Sequence, residues 1–300
     1  MKRRLRTEDA ELLGLLGELA SKPGARALRD AASSRPAEAS VRRLGSISDS
    51  ALERHVFAER RDELSALLQW ACLDQLYSVS PRDGGPHHGL TAARQLELPT
   101  RRAWRARATL RLRGSSERGR AIDLLSACLG RRSASASELA LAALHLTPRD
   151  GARINLGLAL VHEGRLDEAR KVLTHAAQSA SSEMCRSIAF ENLGQALGDQ
   201  GRYDKACDAF ESSALAREER PSAAFGWLLT SVLALRANSA RKAAALLEDV
   251  AHPQHPTLLE CLEANSAGRA WTASAPAITL ARQLEALDYP AARKALHVVR

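Results

Sequence analysis

Apolar residues along this chain recur at steps of three and four, with no sustained alternation, so the pattern is that of packed helices without strands. Near the N-terminus, Leu12, Leu15, Leu16 and Leu19 form one helical stripe behind Thr7, a candidate cap. Gly14 and Gly17 weaken that helix by about 1 kcal/mol each relative to Ala, so it needs a surface to dock on, and the body of the protein is the expected one. Residues 21–48 lose the period and are rich in Ser, Ala, Arg and Pro, the composition of a flexible linker. Ser50 and Glu53 make a capping box, and apolar positions then run through Val56, Leu64, Leu67, Leu68, Cys72 and Leu76. Residues 80–89, S-P-R-D-G-G-P-H-H-G, read as a loop.

The stripes become periodic on a larger scale in the second half. Residues 155–169 read N-L-G-L-A-L-x3-G-R-L-D-E-A, and 37 residues later 192–206 read N-L-G-Q-A-L-x3-G-R-Y-D-K-A. A fixed period of this length marks a repeat architecture in which each unit buries its apolar face against its neighbours. Unit one starts at Asp150, with Thr147 as the expected N-cap and Pro148 at the first helical position. Unit two starts at Ser187 and carries Phe190, Leu193-Gly194, Gly201, Tyr203 and Ala206-x3-Phe210. Carried on at 37 residues, unit three starts at Ala224, with Trp227 near its start and Ala243-x3-Leu247 on its second helix. There Thr230-Ser231 stands for L-G and Asn238 for the turn glycine. The small residues Gly157, Gly194, Ser231, Ala169, Ala206 and Ala243 allow two antiparallel helices to approach closely.

These motifs resemble the tetratricopeptide repeat, a helical hairpin with W-x2-L-G-x2-Y in its first helix and A-x3-F in its second. The resemblance implies an all-α fold, a helical-hairpin solenoid with an N-terminal helical extension. The expected plan is an amphipathic helix and linker at 1–48, then a helical region and loop at 49–100. A basic helical segment at 101–146 follows, three repeats occupy 147–256, and capping helices lie at 257–300. Within the basic segment 104–128 looks like a degenerate unit, because Ala121-x3-Leu125-x2-Cys128 repeats the second-helix spacing, and an extra helix at 138–146 precedes unit one. The excess over 34 residues in the period is assigned to longer connections near 179–182 and 218–221, and the array from about 101 to 300 is expected to be one stack.

The resemblance also implies a function: a non-enzymatic scaffold or adaptor that binds a peptide or helix in the concave groove lined by first helices. It carries the role of peptide-backbone anchor to Asn155 and Asn192, whose amides can donate and accept together. By the same register Ile154, Leu158, Val161, Glu191, Gln195, Leu228 and Val232 face the groove, and Leu229 takes the place of the Asn in unit three. An apolar groove with few polar anchors suits a hydrophobic peptide or helix as protein partner, not an acidic tail.

Charge adds an alternative. The net +8 falls entirely in residues 1–150, and in 101–132 ten arginines face only Glu117 and Asp123. In the alternative, a nucleic-acid-associated regulatory role, Arg101, Arg102, Arg105, Arg107, Arg111 and Arg113 contact a polyanion. They lie on more than one helical stripe, which favours a solvated spread. No helix-turn-helix or zinc-finger pattern accompanies them.

Catalytic and cofactor motifs are missing from the sequence: it has no Gly-Lys dipeptide, G-x-S-x-G, H-E-x-x-H or C-x2-C. His87-His88, and His252 with His255 and Cys261, are the nearest approach to a metal set, and a loop is the expected reading of both. No cofactor, metal or enzymatic activity is therefore expected. Five cysteines without short spacings suit a reducing compartment, and no run approaches 18 apolar residues, so the expected protein is cytoplasmic and does not span a membrane. The arginine segment should give weak, sequence-independent retention on heparin that falls steeply with added salt. Tight binding to one nucleic-acid sequence, persisting at a few tenths molar salt, would instead establish the regulatory alternative.

Overall fold

The computed structural model describes residues 61–77, 115–216, 221–234 and 236–248, with scattered positions between 10 and 29. Among the described residues every regular element is an α-helix. In chain order these are α1 (Arg61–Tyr77), α2 (Ser115–Cys128), α3 (Ala136–Leu146), α4 (Asp150–His162) and α5 (Leu166–Ser179). They continue with α6 (Glu183–Asp199), α7 (Tyr203–Ala216), α8 (Pro221–Leu233) and α9 (Ala237–Glu248). The chain divides into two compact units, residues 1–172 and 173–300. The six arginines from Arg101 to Arg113, the paired histidines and the expected C-terminal cap lie outside the described residues.

In residues 1–172, α3 packs along both α1 and α4, and α1 touches α4. Every residue of α1 from Leu64 to Leu73 is buried, as befits a helix covered on all sides. Ser135 and Glu138 form a capping box, so α3 begins two residues ahead of its expected start. Thr147 caps the C-terminus of α3 and is not the N-cap of unit one. Its hydroxyl donates to Asp62 of α1, while Arg149 occupies the N-cap of α4 without a side-chain capping bond. Of the N-terminal stripe Leu16 is described: it is fully buried, and its carbonyl accepts from the Cys128 thiol at 3.9 Å. On α2 the spacing Ala121, Leu125, Cys128 is a buried stripe. The first helix expected for that unit, around Trp104, lies outside the described residues.

In residues 173–300, α7 packs along α6 and α8, α8 packs along α9, and α6 touches α8. The helices meet around Phe210 of α7. A Cβ on Gly194 of α6 would fall 2.7 Å from its ring, and a Cβ on Gly226 of α8 would fall 2.5 Å from it. Both glycines therefore leave room that the aromatic ring fills. The role of Gly226 is not visible in the 37-residue register, which places the close approach of unit three at Ser231.

Backbone hydrogen bonds reset that register. After α4, the Arg165 amide bonds the Leu160 carbonyl, and after α6, Arg202 bonds Leu197, both at 2.9 Å. These are Schellman turns, and Gly164 and Gly201 supply their positive φ of 71° and 72°. After α8 the equivalent bond runs from Arg236 to Ser231 at 2.8 Å, and the next helix then opens with Ala240 bonding Arg236, as Ala206 bonds Arg202. The spacing is 37 residues from Arg165 to Arg202 but 34 from Arg202 to Arg236. Burial agrees: Ala223, Trp227, Leu228, Thr230 and Ser231 are buried, matching Ala189, Leu193, Gly194, Ala196 and Leu197 at 34 residues. Trp227 thus occupies the Leu193 position, Ala240 replaces Ala243 as the counterpart of Ala206, and Asn238 lies inside α9 instead of in the turn. The extra residues of unit two lie in helix. α6 has 17 residues where α4 and α8 have 13, because Ser182 caps an additional N-terminal turn.

Glycine substitutions test this packing. Gly194→Ala and Gly226→Ala should each lower stability by about 1–3 kcal/mol through overpacking against Phe210. Gly198→Ala, in the same helix with nothing within 4 Å of the new methyl, should raise it by about 0.5–1 kcal/mol. Urea melts of the three variants check the opposite signs, and a stable Gly194→Ala protein would refute the packing.

Candidate peptide-binding face

α6 and α8 touch each other and share α7 as a neighbour, so they form one layer with α7 behind it. The inward side of α6 is Ser187, Ala189, Leu193, Gly194, Ala196 and Leu197. The opposite side carries Ile188, Glu191, Asn192 and Gln195 at helical spacing, of which Gln195 is exposed and the others are half-buried. Three of these four are polar, and the one apolar member, Ile188, stands at the N-terminal end of the stripe. At 34 residues, Phe225 stands on α8 where Glu191 stands on α6, and Leu229 stands where Gln195 does. Both are half-buried and rest on the core cluster around Trp227. The face therefore sets the polar run from Glu191 to Gln195 beside an apolar pair.

The corrected register also moves residues off this face. Leu228 corresponds to Gly194, not to Glu191, and is fully buried in the core with Val232, so neither lines a groove. Gly226, and not Leu229, stands where α6 has Asn192.

In residues 1–172 the corresponding face is closed. Ile154, Leu158 and Val161 of α4 are buried, and Asn155 is only 6% exposed. The Asn155 side-chain amide donates to the Gln69 carbonyl oxygen of α1 at 3.2 Å, and Gln69 in turn donates to the Ser65 hydroxyl. The expected anchor of a ligand backbone is instead a bond between two helices of the same unit. Sequence reasoning missed it because Gln69 lies 86 residues away and carries no motif.

Chemistry elsewhere is sparse. Among the described residues no three His, Cys, Asp or Glu side chains group as metal ligands would. Burial pushes the Cys72 thiol far above the ordinary range. Burial likewise raises Cys128, to about 12, which leaves it protonated and a poor nucleophile. No helix among the described residues is long and apolar enough to cross a membrane.

A tetratricopeptide-repeat family model matches residues 189–219, the stretch from α6 through α7. The α6–α7 hairpin is therefore similar to a tetratricopeptide repeat. A solved structure described as the functional characterization of Pseudomonas aeruginosa pilF is similar over 78% of this chain and 99% of its own, at 20% identity and a TM-score of 0.40. No curated protein matches.

Removing the Asn155 amide should act on stability. Asn155→Ala leaves the buried Gln69 oxygen without its donor and should cost about 1–3 kcal/mol. Asn192→Ala, at a half-buried position, should cost clearly less. Equal thermal shifts in the two variants would contradict this assignment.

Proposed function

We propose that the protein is an interaction scaffold whose docking surface is the α6/α8 face. Repeat hairpins of this kind present extended binding surfaces built from successive first helices. The observation that carries the proposal is the adjacency of two unlike stripes in one layer. Glu191, Asn192 and Gln195 offer donors and acceptors, and Phe225 and Leu229 offer apolar surface beside them. Such a face suits a peptide or helix that lays apolar side chains on α8 and satisfies its polar groups against α6. The anchors are then Glu191, Asn192 and Gln195 from the expected set, joined by Phe225 and Leu229. Asn155, Leu158 and Leu228 belong to the interior.

Selection from a displayed peptide library on the intact protein tests the surface. Selected peptides should carry apolar residues and should bind Gln195→Lys/Leu229→Lys at least tenfold more weakly, a loss of about 1.4 kcal/mol or more. The circular dichroism of the double variant should match that of wild type, since Gln195 is exposed and Leu229 is half-buried at the edge of the core. Undiminished binding to a folded double variant would move the surface elsewhere.

A further inference from the structure

We infer that α1 and α3 are the two helices of one more repeat hairpin, split in sequence by residues 78–135, and that this hairpin closes the face of α4. The two helices run antiparallel with their ends in register. At one end the Gln75 amide of α1 donates to the Ala134 carbonyl, just before α3, at 2.9 Å. At the other end Asp62 of α1 accepts from Thr147 and Arg149, just after α3. A chain reversal of a few residues would join them, yet 58 residues intervene.

Three features of the α6–α7–α8 hairpin series recur in α1–α3–α4. The packing is the same: a second helix lies along the first helices on either side of it, and those two first helices touch. The hydroxyl that ties the helices together is the same. Ser65 of α1 donates to the Ala143 carbonyl of α3 at 3.0 Å, as Ser187 of α6 donates to the Ser213 carbonyl of α7 at 3.0 Å. The arginine after the following first helix reaches back in both cases. Arg165, after α4, donates to the Ser137 hydroxyl of α3 at 3.1 Å. Arg236, after α8, donates to the Asp204 carbonyl of α7 at 3.2 Å and pairs with Asp208. In each series the second helix is therefore clamped by the turn that follows.

As a member of the first-helix layer, α1 lies beside α4, and the Gln69–Asn155 bond is a lateral bond within that layer. In sequence, residues 78–135 intervene between the two helices of this hairpin.

A protease site placed in residues 80–89 of the full chain, cleaved after folding, tests the inference. Both fragments should co-elute in gel filtration. Cys72, fully buried on α1, should react with a maleimide at least 100-fold more slowly than in unfolded protein, with the labelled site read by mass spectrometry. In the cleaved protein, Ser65→Ala/Gln69→Ala should lower the urea concentration at which the fragments part. Separation of the N-terminal fragment without denaturant, fast labelling of Cys72, or no shift in the double variant would each overturn it.

Discussion

The ring of Phe210 lies against Gly194 of α6 and Gly226 of α8, and that contact sets the separation of three helices at once. Any side chain at either glycine would meet the ring at less than van der Waals distance, so the aromatic and the two glycines act as one unit. Trp227, Leu228, Val232 and Cys207 close around it as a continuous core. The outward face of α6 and α8 exists because this contact holds them in one layer. Small residues and one large ring thus do the work that a broader aromatic core does elsewhere, in a chain with only 4% aromatic residues.

Turn geometry then fixes where each helix pair begins. Gly164 and Gly201 take a positive φ, which lets the following arginine amide bond back to the last turn. The arginine side chains add a second constraint. Arg165 is held by Glu168 and Glu163, and its hydrogen bond to Glu168 raises its already high pKa, so it stays charged while it clamps Ser137. Glu163 completes the junction by accepting from both the Ser137 amide and its hydroxyl near the N-terminus of α3. A carboxylate there also complements the partial positive charge of the helix end.

The same sequence signal has different consequences in its two copies. Asn155 and Asn192 sit at one repeat position, but Asn155 is enclosed beneath α1 and bonded to Gln69, whereas Asn192 is half-buried on α6. An amide in a low-dielectric interior requires a partner, and α1 supplies it. The difference arises from which helix lies alongside, and nothing within the fifteen-residue motif encodes that. Binding capacity cannot therefore be read from a repeat motif one copy at a time.

Local residues alone determined much of this protein. The three-and-four spacing of apolar positions made it helical, and the N-L-G and G-R steps located the hairpin of α6 and α7 and the turn after α4. Gly194 as a site of close approach and the burial of Leu16 were also legible, because each follows from a short-range pattern and the size of one side chain. Tertiary structure decided the rest. The change of spacing from 37 to 34 residues was hidden because the extra turn of α6 looks, in sequence, like a longer connection. Leu228 reads as a groove residue or a core residue depending on that shift, since three residues carry a helix position by most of a turn. Gly226 became meaningful only once Phe210 was seen between two helices. The pairing of α1 with α3 lay beyond the sequence altogether: hydrophobic burial is non-directional, and only the bonds of Ser65, Gln69 and Gln75 specify which distant helix completes the layer.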